Sequence, residues 1–164
     1  MRPPIPAPAK AANPDAFALL ADAHDQLRRR FDALVMPAWR APPSRGALVD
    51  AGLWLNIHAT LATSLVYPAV RAALAAEPGP ALARAEAELH AVLGALEDLL
   101  AADDGADDRA ARLAALRLQV DCQFADEELA LFEQLGKVEL DVDTLGRRFV
   151  AQRRALVAEL GLAH

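Results

Sequence analysis

The sequence has 164 residues, 54% of them hydrophobic, which fits one compact domain with a sizeable apolar core. Alanine, leucine, glutamate and arginine are abundant while β-branched and aromatic residues are scarce, a composition that favours helices over strands. The net charge of -6 argues against a surface that binds nucleic acid or anionic membranes, because both require basic patches. An all-α domain is therefore expected.

The cysteine content and the apolar runs indicate a cytoplasmic protein. Cys122 is the one cysteine, so a disulfide within the chain is excluded. The first dozen residues lack the continuous apolar region of a secretion signal, and no uncharged apolar run reaches the roughly 18 residues of a membrane span. Residues 1–12 are rich in proline and alanine and predict an extended arm, and residues 13–164 are predicted to form the helical domain.

The first predicted helix carries a histidine on its apolar face. Asn13 as N-cap, with proline at the first helical position, predicts a helix that runs to about Leu34 or Trp39. His24 interrupts a stripe of apolar residues spaced three and four apart, which comprises Phe17, Leu20, Leu27, Phe31 and Leu34. Such a histidine is either a hydrogen-bonded core residue or part of a polar site.

The second predicted helix repeats this pattern. Ser44 is a suitable N-cap for a helix over about 45–76, and Tyr67-Pro68 predicts a bend within it. His58 interrupts the apolar stripe of this helix as His24 does in the first. Trp54 and Tyr67 are interpreted as packing residues.

The third predicted helix spans about 81–102, and it places Glu86 and His90 one turn apart on the predicted inward face.

A fifth helix, from about Thr144 to Leu160 and capped by Asp143, is expected to pack across the outside of the others.

The fourth predicted helix ends near residue 135 and has polar residues on its buried face. Gln123 and Glu127 lie one turn apart on its apolar stripe. A buried carboxylate without a partner costs several kcal/mol, so Glu127 requires partners on the facing helices. Cys122 is interpreted as a small buried residue rather than a redox switch, and Asp126 and Glu128 are expected to be solvated.

The polar residues on the four inward faces are regularly spaced. His24 and His58 are 34 residues apart, His58 and His90 are 32 apart, and His90 and Gln123 are 33 apart. Four antiparallel helices joined by short loops would bring these positions to a common level in the core. Three histidines in register with a glutamate predict a shared polar site.

These segments, in the order LADAHDQLRRRF, LNIHATLATSLVYPAV, AEAELHAVLGAL and LQVDCQFADEELALF, resemble the hemerythrin-like (HHE cation-binding) four-helix bundles over residues 15–135. The resemblance implies an up-down-up-down four-helix bundle, here with an extra C-terminal helix. In that family the helices supply a histidine, a histidine followed four residues later by glutamate, a histidine, and again a histidine followed by glutamate. The resemblance thus implies metal-ligand roles for His24, His58, His90 and Glu127.

Two positions depart from the family pattern. Ala62 stands where the second helix should present a glutamate, and Gln123 stands where the fourth should present a histidine. One ion is therefore expected rather than the paired irons of the family. Two imidazoles and one carboxylate suit non-heme Fe(II), with His90 as a fourth ligand and Glu86 as a further ligand or as the hydrogen-bond partner of His90. Zinc would accept the same donors, and a metal-free polar core is the third reading.

Three functions follow from this site. The first is a non-enzymatic metal-binding protein that binds or senses oxygen, nitric oxide or iron. The second is oxygen or peroxide chemistry at an open iron position. The third is a metal-free structural or interaction domain, for which Ala62 and Gln123 are the best evidence. The sequence identifies neither a protein partner nor an oligomeric state.

Overall fold

The computed structural model describes residues 15–38, 43–74, 80–102, 105–135 and 139–162, and within these ranges it has helices and no strand. The elements are α1 (Ala16–Ala38), α2 (Arg45–Leu61), a π-helical segment (Ala62–Val66), α3 (Tyr67–Ala73), α4 (Pro80–Ala101), α5 (Ala106–Leu135) and α6 (Val142–Glu159). The predicted all-α class is confirmed. The predicted arm over 1–12, the Asn13 cap and Trp39 lie outside the described residues.

The helices pack as a bundle in which neighbours close a ring. Helix α1 contacts α2 and α5, and α4 contacts the same two helices from the other side. Helix α6 lies against α1, α2 and the π-helical segment, so the expected position of the fifth helix outside the other four is confirmed. No helix in the described part of the chain is long and apolar enough to cross a membrane.

The start of α6 differs from its prediction. The N-cap is Asp141 rather than Asp143, and its carboxylate accepts hydrogen bonds from the Thr144 N–H at 2.9 Å and the Thr144 hydroxyl at 2.6 Å. Leu145 and Phe149 of this helix are buried in the core, whereas Leu160 is 42% exposed because it follows the last residue of the helix.

A polar layer separates two apolar clusters in the core. In α1, Leu20 belongs to one cluster and Leu27 to the other. Four buried polar residues of the described chain lie between the clusters, and we refer to them as the polar layer: His24, His58, Gln123 and Glu127. The apolar stripes of the helices therefore bring polar side chains from α1, α2 and α5 to one level.

The helix that carries His58 widens into a π turn after it. Side-chain hydroxyls of this stretch donate to carbonyls one turn back, as Thr63 does to the Ala59 oxygen at 2.7 Å and Ser64 to the Thr60 oxygen at 2.5 Å. Pro68 contributes no backbone donor. Both features weaken the regular ladder of α-helical hydrogen bonds, and the predicted bend takes the form of the π-helical segment.

The extra residue of the π turn changes which face Tyr67 occupies. In an uninterrupted α-helix, residues nine apart lie on opposite faces, so His58 and Tyr67 would point in opposite directions. After the π-helical segment Tyr67 is fully buried and lies close enough to Glu127 to feel its charge. The backbone irregularity thus turns a phenol toward the polar layer.

Two leucines of α5 test the orientation of this helix. Leu116 is 2% exposed and Leu118 is 66% exposed. We expect L116A to lower the free energy of unfolding by about 2–5 kcal/mol, because it leaves a cavity in the core. The matched L118A should change it by less than about 0.5 kcal/mol in urea titrations. A larger loss in L118A than in L116A would contradict this orientation.

Candidate metal centre

Three buried side chains from three helices converge in the polar layer. His24 Nε2 from α1 lies 3.1 Å from Glu127 Oε2 of α5, and His58 Nε2 from α2 lies 3.2 Å from the same oxygen. One ligand atom from each residue lies within 4.8 Å of the other two. None of the three residues is more than 2% exposed.

Helical periodicity brings them together. His24 follows Leu20 by four residues and precedes Leu27 by three, so it shares their inward face. His58 follows the buried Leu55 by three residues, and Glu127 continues the buried stripe of α5. The prediction that these residues and Gln123 face the core is confirmed.

The distances from the two imidazoles to the carboxylate oxygen suit ligands of a single divalent ion. With bonds of about 2.1 Å to nitrogen and oxygen, neighbouring ligand atoms in octahedral or tetrahedral geometry lie roughly 3.0–3.4 Å apart. The two separations from Glu127 Oε2, 3.1 and 3.2 Å, fall in this range. Each imidazole therefore lies at the distance from the carboxylate oxygen that neighbouring ligands of one ion adopt, and the three ligand atoms together lie within 4.8 Å of one another.

Several polar atoms at this level have no hydrogen-bond partner within the described chain. They are His58 Nδ1 and Nε2, Tyr67 Oη, Gln123 Oε1 and Glu127 Oε1. Buried polar atoms are rarely left in this state, and each costs about 1–3 kcal/mol. For His58 Nε2 the 3.2 Å contact with Glu127 lacks hydrogen-bond geometry. A cation between the two would engage this nitrogen directly.

The other side of the His24 ring is held by Glu128. His24 Nδ1 lies 2.7 Å from Glu128 Oε1, and Arg28 Nη2 donates to the same oxygen at 3.3 Å. The expectation that Glu128 is solvated is wrong, since this side chain is 29% exposed and fixes the ring. It lies about 100° around the helix from Glu127, at the edge of the inward face, where periodicity alone does not reveal a contact. Such carboxylate support is typical of histidines that bind metals.

The charges in the layer follow from burial and from these contacts. Burial would raise the pKa of the Glu127 carboxyl, but the facing imidazoles of His58 and His24 lower it well below its usual range. Burial also opposes protonation of His24, yet Glu127 and Glu128 outweigh it and raise the pKa of this ring. Burial lowers the pKa of His58, and Glu127 only partly offsets that effect. The contacts of His24 thus favour its protonated form beside the Glu127 carboxylate, whereas burial favours the neutral form of His58.

Gln123 and Phe124 support the site from α5. Gln123 Nε2 donates to Glu127 Oε2 at 2.9 Å, so this amide acts here as a hydrogen-bond donor. The Phe124 ring stacks on His24, with centroids 4.1 Å apart and planes 10° from parallel. Phe124 was missed from the sequence because it is adjacent to Gln123, and periodicity assigned the inward face to Gln123 alone.

The predicted inward positions of His90 and Glu86 are wrong. His90 is exposed, and its Nδ1 lies 2.7 Å from the Glu86 carbonyl oxygen in the same helix. The Glu86 carboxylate pairs with Arg71 rather than with a histidine. The buried residue of α4 near this level is Leu89, one position before His90 and about 100° around the helix. Helix α4 thus contributes no ligand to the layer.

The predicted burial of Cys122 is also wrong, because this side chain is exposed. Gln123 occupies the inward position next to it. Ala62 is fully buried in the π-helical segment, where the family resemblance would require a carboxylate.

Comparisons with protein-family models, with curated proteins and with solved structures find no match. What the described residues show is a helical bundle with a buried His-His-Glu group that could hold a metal. The resemblance to hemerythrin-like bundles stays a prediction.

The two histidines of the layer should titrate on opposite sides of the ordinary imidazole pKa of 6.5. In chelator-treated protein, NMR should place the midpoint of His24 above 6.5 and that of His58 below it. E127Q should lower the His24 midpoint, because it removes the charge that favours the imidazolium.

The same shift has a consequence for stability. Since the folded-state pKa of His24 is raised, its contribution is fully present below pH 6.5 and is lost as the pH rises through the raised value. E128Q is the control for the titration, because it removes the carboxylate charge beside His24 Nδ1, together with the ion pair to Arg28, and leaves Glu127 in place. The same titration midpoint for His24 and His58 would contradict the prediction, because it would show that the two rings lie in equivalent environments.

Proposed function

We propose that this chain is a hemerythrin-like metal-binding protein that holds one divalent ion, with non-heme iron as the first choice, in an up-down-up-down four-helix bundle extended by α6. The observation that carries the proposal is the buried group of His24, His58 and Glu127, with ligand atoms within 4.8 Å of one another. Two imidazoles and a carboxylate are the donor set of many non-heme Fe(II) sites with open positions, and zinc accepts the same donors.

Each residue of the layer has a role in this proposal. His24 Nε2, His58 Nε2 and Glu127 Oε2 would hold the ion. Glu128 would orient the His24 ring through Nδ1, and Gln123 would hold the Glu127 carboxylate. When bound, Fe(II) supplies a redox-active centre with open positions for a small diatomic ligand such as oxygen or nitric oxide.

The proposal is for one ion rather than two. The family pattern requires a further carboxylate on the second helix and a histidine on the third. Ala62 is buried without a polar atom in its side chain, and His90 faces solvent. Within the described residues no second group of potential metal ligands is found.

Binding or sensing is proposed rather than catalysis. Apart from the three proposed ligands, the buried titratable group closest to this level is Tyr67. Burial and the neighbouring Glu127 raise the pKa of this phenol, which keeps it neutral and makes it a poor proton donor.

A metal-free interaction or structural domain is the second candidate. Glu127 already accepts a hydrogen bond from Gln123 at 2.9 Å and lies 3.1 Å from His24, so part of its charge is compensated without an ion. This candidate leaves His58 without a hydrogen-bond partner among the described residues, which is why the metal-binding proposal is preferred.

Metal content tests the proposal directly. Protein produced in iron-rich medium and purified without oxygen should contain about one metal ion per chain. H58L should lose most of this metal, whereas the matched H90L should retain it because His90 is exposed and outside the ligand group.

The outcomes separate the two candidates. Metal loss in H58L but not in H90L supports the ion at the triad. No metal in the parent protein, together with unchanged or increased thermal stability of H58L, would support the metal-free candidate, because replacement of a buried unpaired imidazole removes a desolvation cost.

The pH dependence of binding gives an independent test, with Co(II) absorption as the readout. The ion must displace the proton of His24, so affinity should fall about tenfold per pH unit once the pH is below the raised pKa of this ring. E128Q should move the decline to lower pH and weaken binding about tenfold at high pH, because it removes the support of Nδ1. An affinity that does not change between pH 5 and 8 would falsify the ligand role of His24.

A further inference from the structure

A groove on the outer side of the bundle has no place in the function proposed above. It lies where α6 crosses α1 and α2 and has a volume of about 360 Å³. Its wall is largely apolar and includes the partly exposed Leu19, Trp54 and Val150. A volume of this size lies at the lower end of the range for small-molecule sites.

Among the described residues, the charged side chains that line this groove are Arg30, Arg153 and Arg154, and none of the lining residues is acidic. Arg30 pairs with Asp50 at 2.7 Å, so its charge is partly compensated. Arg153 donates to the neutral Gln26 amide at 2.9 Å. No carboxylate of the described residues pairs with Arg153 or Arg154. A chain with a net charge of -6 therefore carries a local excess of positive charge here.

Trp54 contacts two of the arginines that line the groove. The guanidinium carbons of Arg30 and Arg153 lie 4.6 and 5.6 Å from the centroid of its ring. These cation–π contacts hold both guanidinium groups beside an aromatic surface. A flat apolar surface and charged donors are thus presented side by side.

The groove leads toward the polar layer. A smaller cavity of about 20 Å³ shares Gln26, Arg30, Trp54 and Arg153 with it and is bounded on its inner side by His58. This space has room for about one water-sized molecule. A ligand in the groove would therefore lie directly outside the proposed metal centre without entering it.

We propose that the groove is a binding site for a small carboxylate with an apolar body. Arg153 and Arg154 would pair with the carboxylate, which matches the planar donors of a guanidinium group. The apolar body would pack on Trp54 and Val150, which line the groove and are partly exposed. Inorganic phosphate could pair with the arginines but has no apolar group to pack on the aromatic surface, so it would use only part of the groove.

Trp54 fluorescence provides the test. The chain has two tryptophans, and W39F leaves Trp54 as the reporter. Chelator-treated protein is titrated with phenylacetate, benzyl alcohol and inorganic phosphate, and calorimetry confirms the midpoints. Phenylacetate should bind saturably, and the other two should bind at least about tenfold more weakly, since each lacks one of the two features the groove recognises.

Charge variants locate the site. R153Q and R154Q should each weaken phenylacetate binding about tenfold, the factor expected when a charge-assisted hydrogen bond is lost. The matched control is R148Q, an exposed arginine of the same helix that does not line the groove, and it should stay within about twofold of the parent. Midpoints rather than amplitudes are compared, because R153Q also changes the surroundings of Trp54.

The proposal is overturned if phenylacetate shows no saturation up to about 50 mM, if benzyl alcohol or phosphate binds as well as phenylacetate, or if R148Q weakens binding as much as R153Q. Because the titration uses metal-free protein, its failure leaves the metal-binding proposal intact. Conversely, a protein without metal could still bind the carboxylate.

Discussion

The structure depends on one constraint, which is that the Glu127 carboxylate is ionised inside the apolar core. An uncompensated buried charge costs several kcal/mol, a large part of the roughly 5–15 kcal/mol by which a domain of this size is stable. The fold meets part of this cost through the hydrogen bonds of His24 and Gln123 with Glu127 Oε2, and His58 Nε2 lies 3.2 Å from the same oxygen. Helices α1, α2 and α5 must therefore keep a common level, and the two apolar clusters pack on either side of it.

The two histidines do not contribute equally. His24 has a carboxylate at each ring nitrogen, so its orientation and its charge are both determined. His58 is buried to the same degree and makes no hydrogen bond within the described residues. Both ring nitrogens of His24 thus have carboxylate partners, whereas those of His58 have no hydrogen-bond partner among the described residues. A cation bound to His58 Nε2 would give that nitrogen a partner. This asymmetry is the main structural reason to prefer an ion over a metal-free polar core.

The elements outside the ring of four helices determine how the layer meets its surroundings. After the π-helical segment Tyr67 is buried near Glu127, and burial keeps its phenol neutral. Helix α6 covers the seam between α1 and α2 but leaves the groove around Trp54, and the smaller cavity extends from this groove to His58. The buried polar layer and the arginine-lined groove are therefore neighbours, although no charged group of the groove contacts Glu127 among the described residues.

The sequence by itself determined the all-α class, the helix limits to within a few residues, and the inward positions of His24, His58, Gln123 and Glu127. Helical periodicity is sufficient for these, because residues three and four apart share a face and the surrounding leucines identify it. Only the tertiary structure decided which residues at the edges of that face point into the core and which point to solvent. Neighbouring positions differ by about 100°, so the rotation of each packed helix placed Glu128 on His24 and turned His90 and Cys122 to solvent. Tyr67 lies near the polar layer because the π turn before it changes the helical periodicity. A sequence analysis that assumes 3.6 residues per turn throughout the helix does not predict this position.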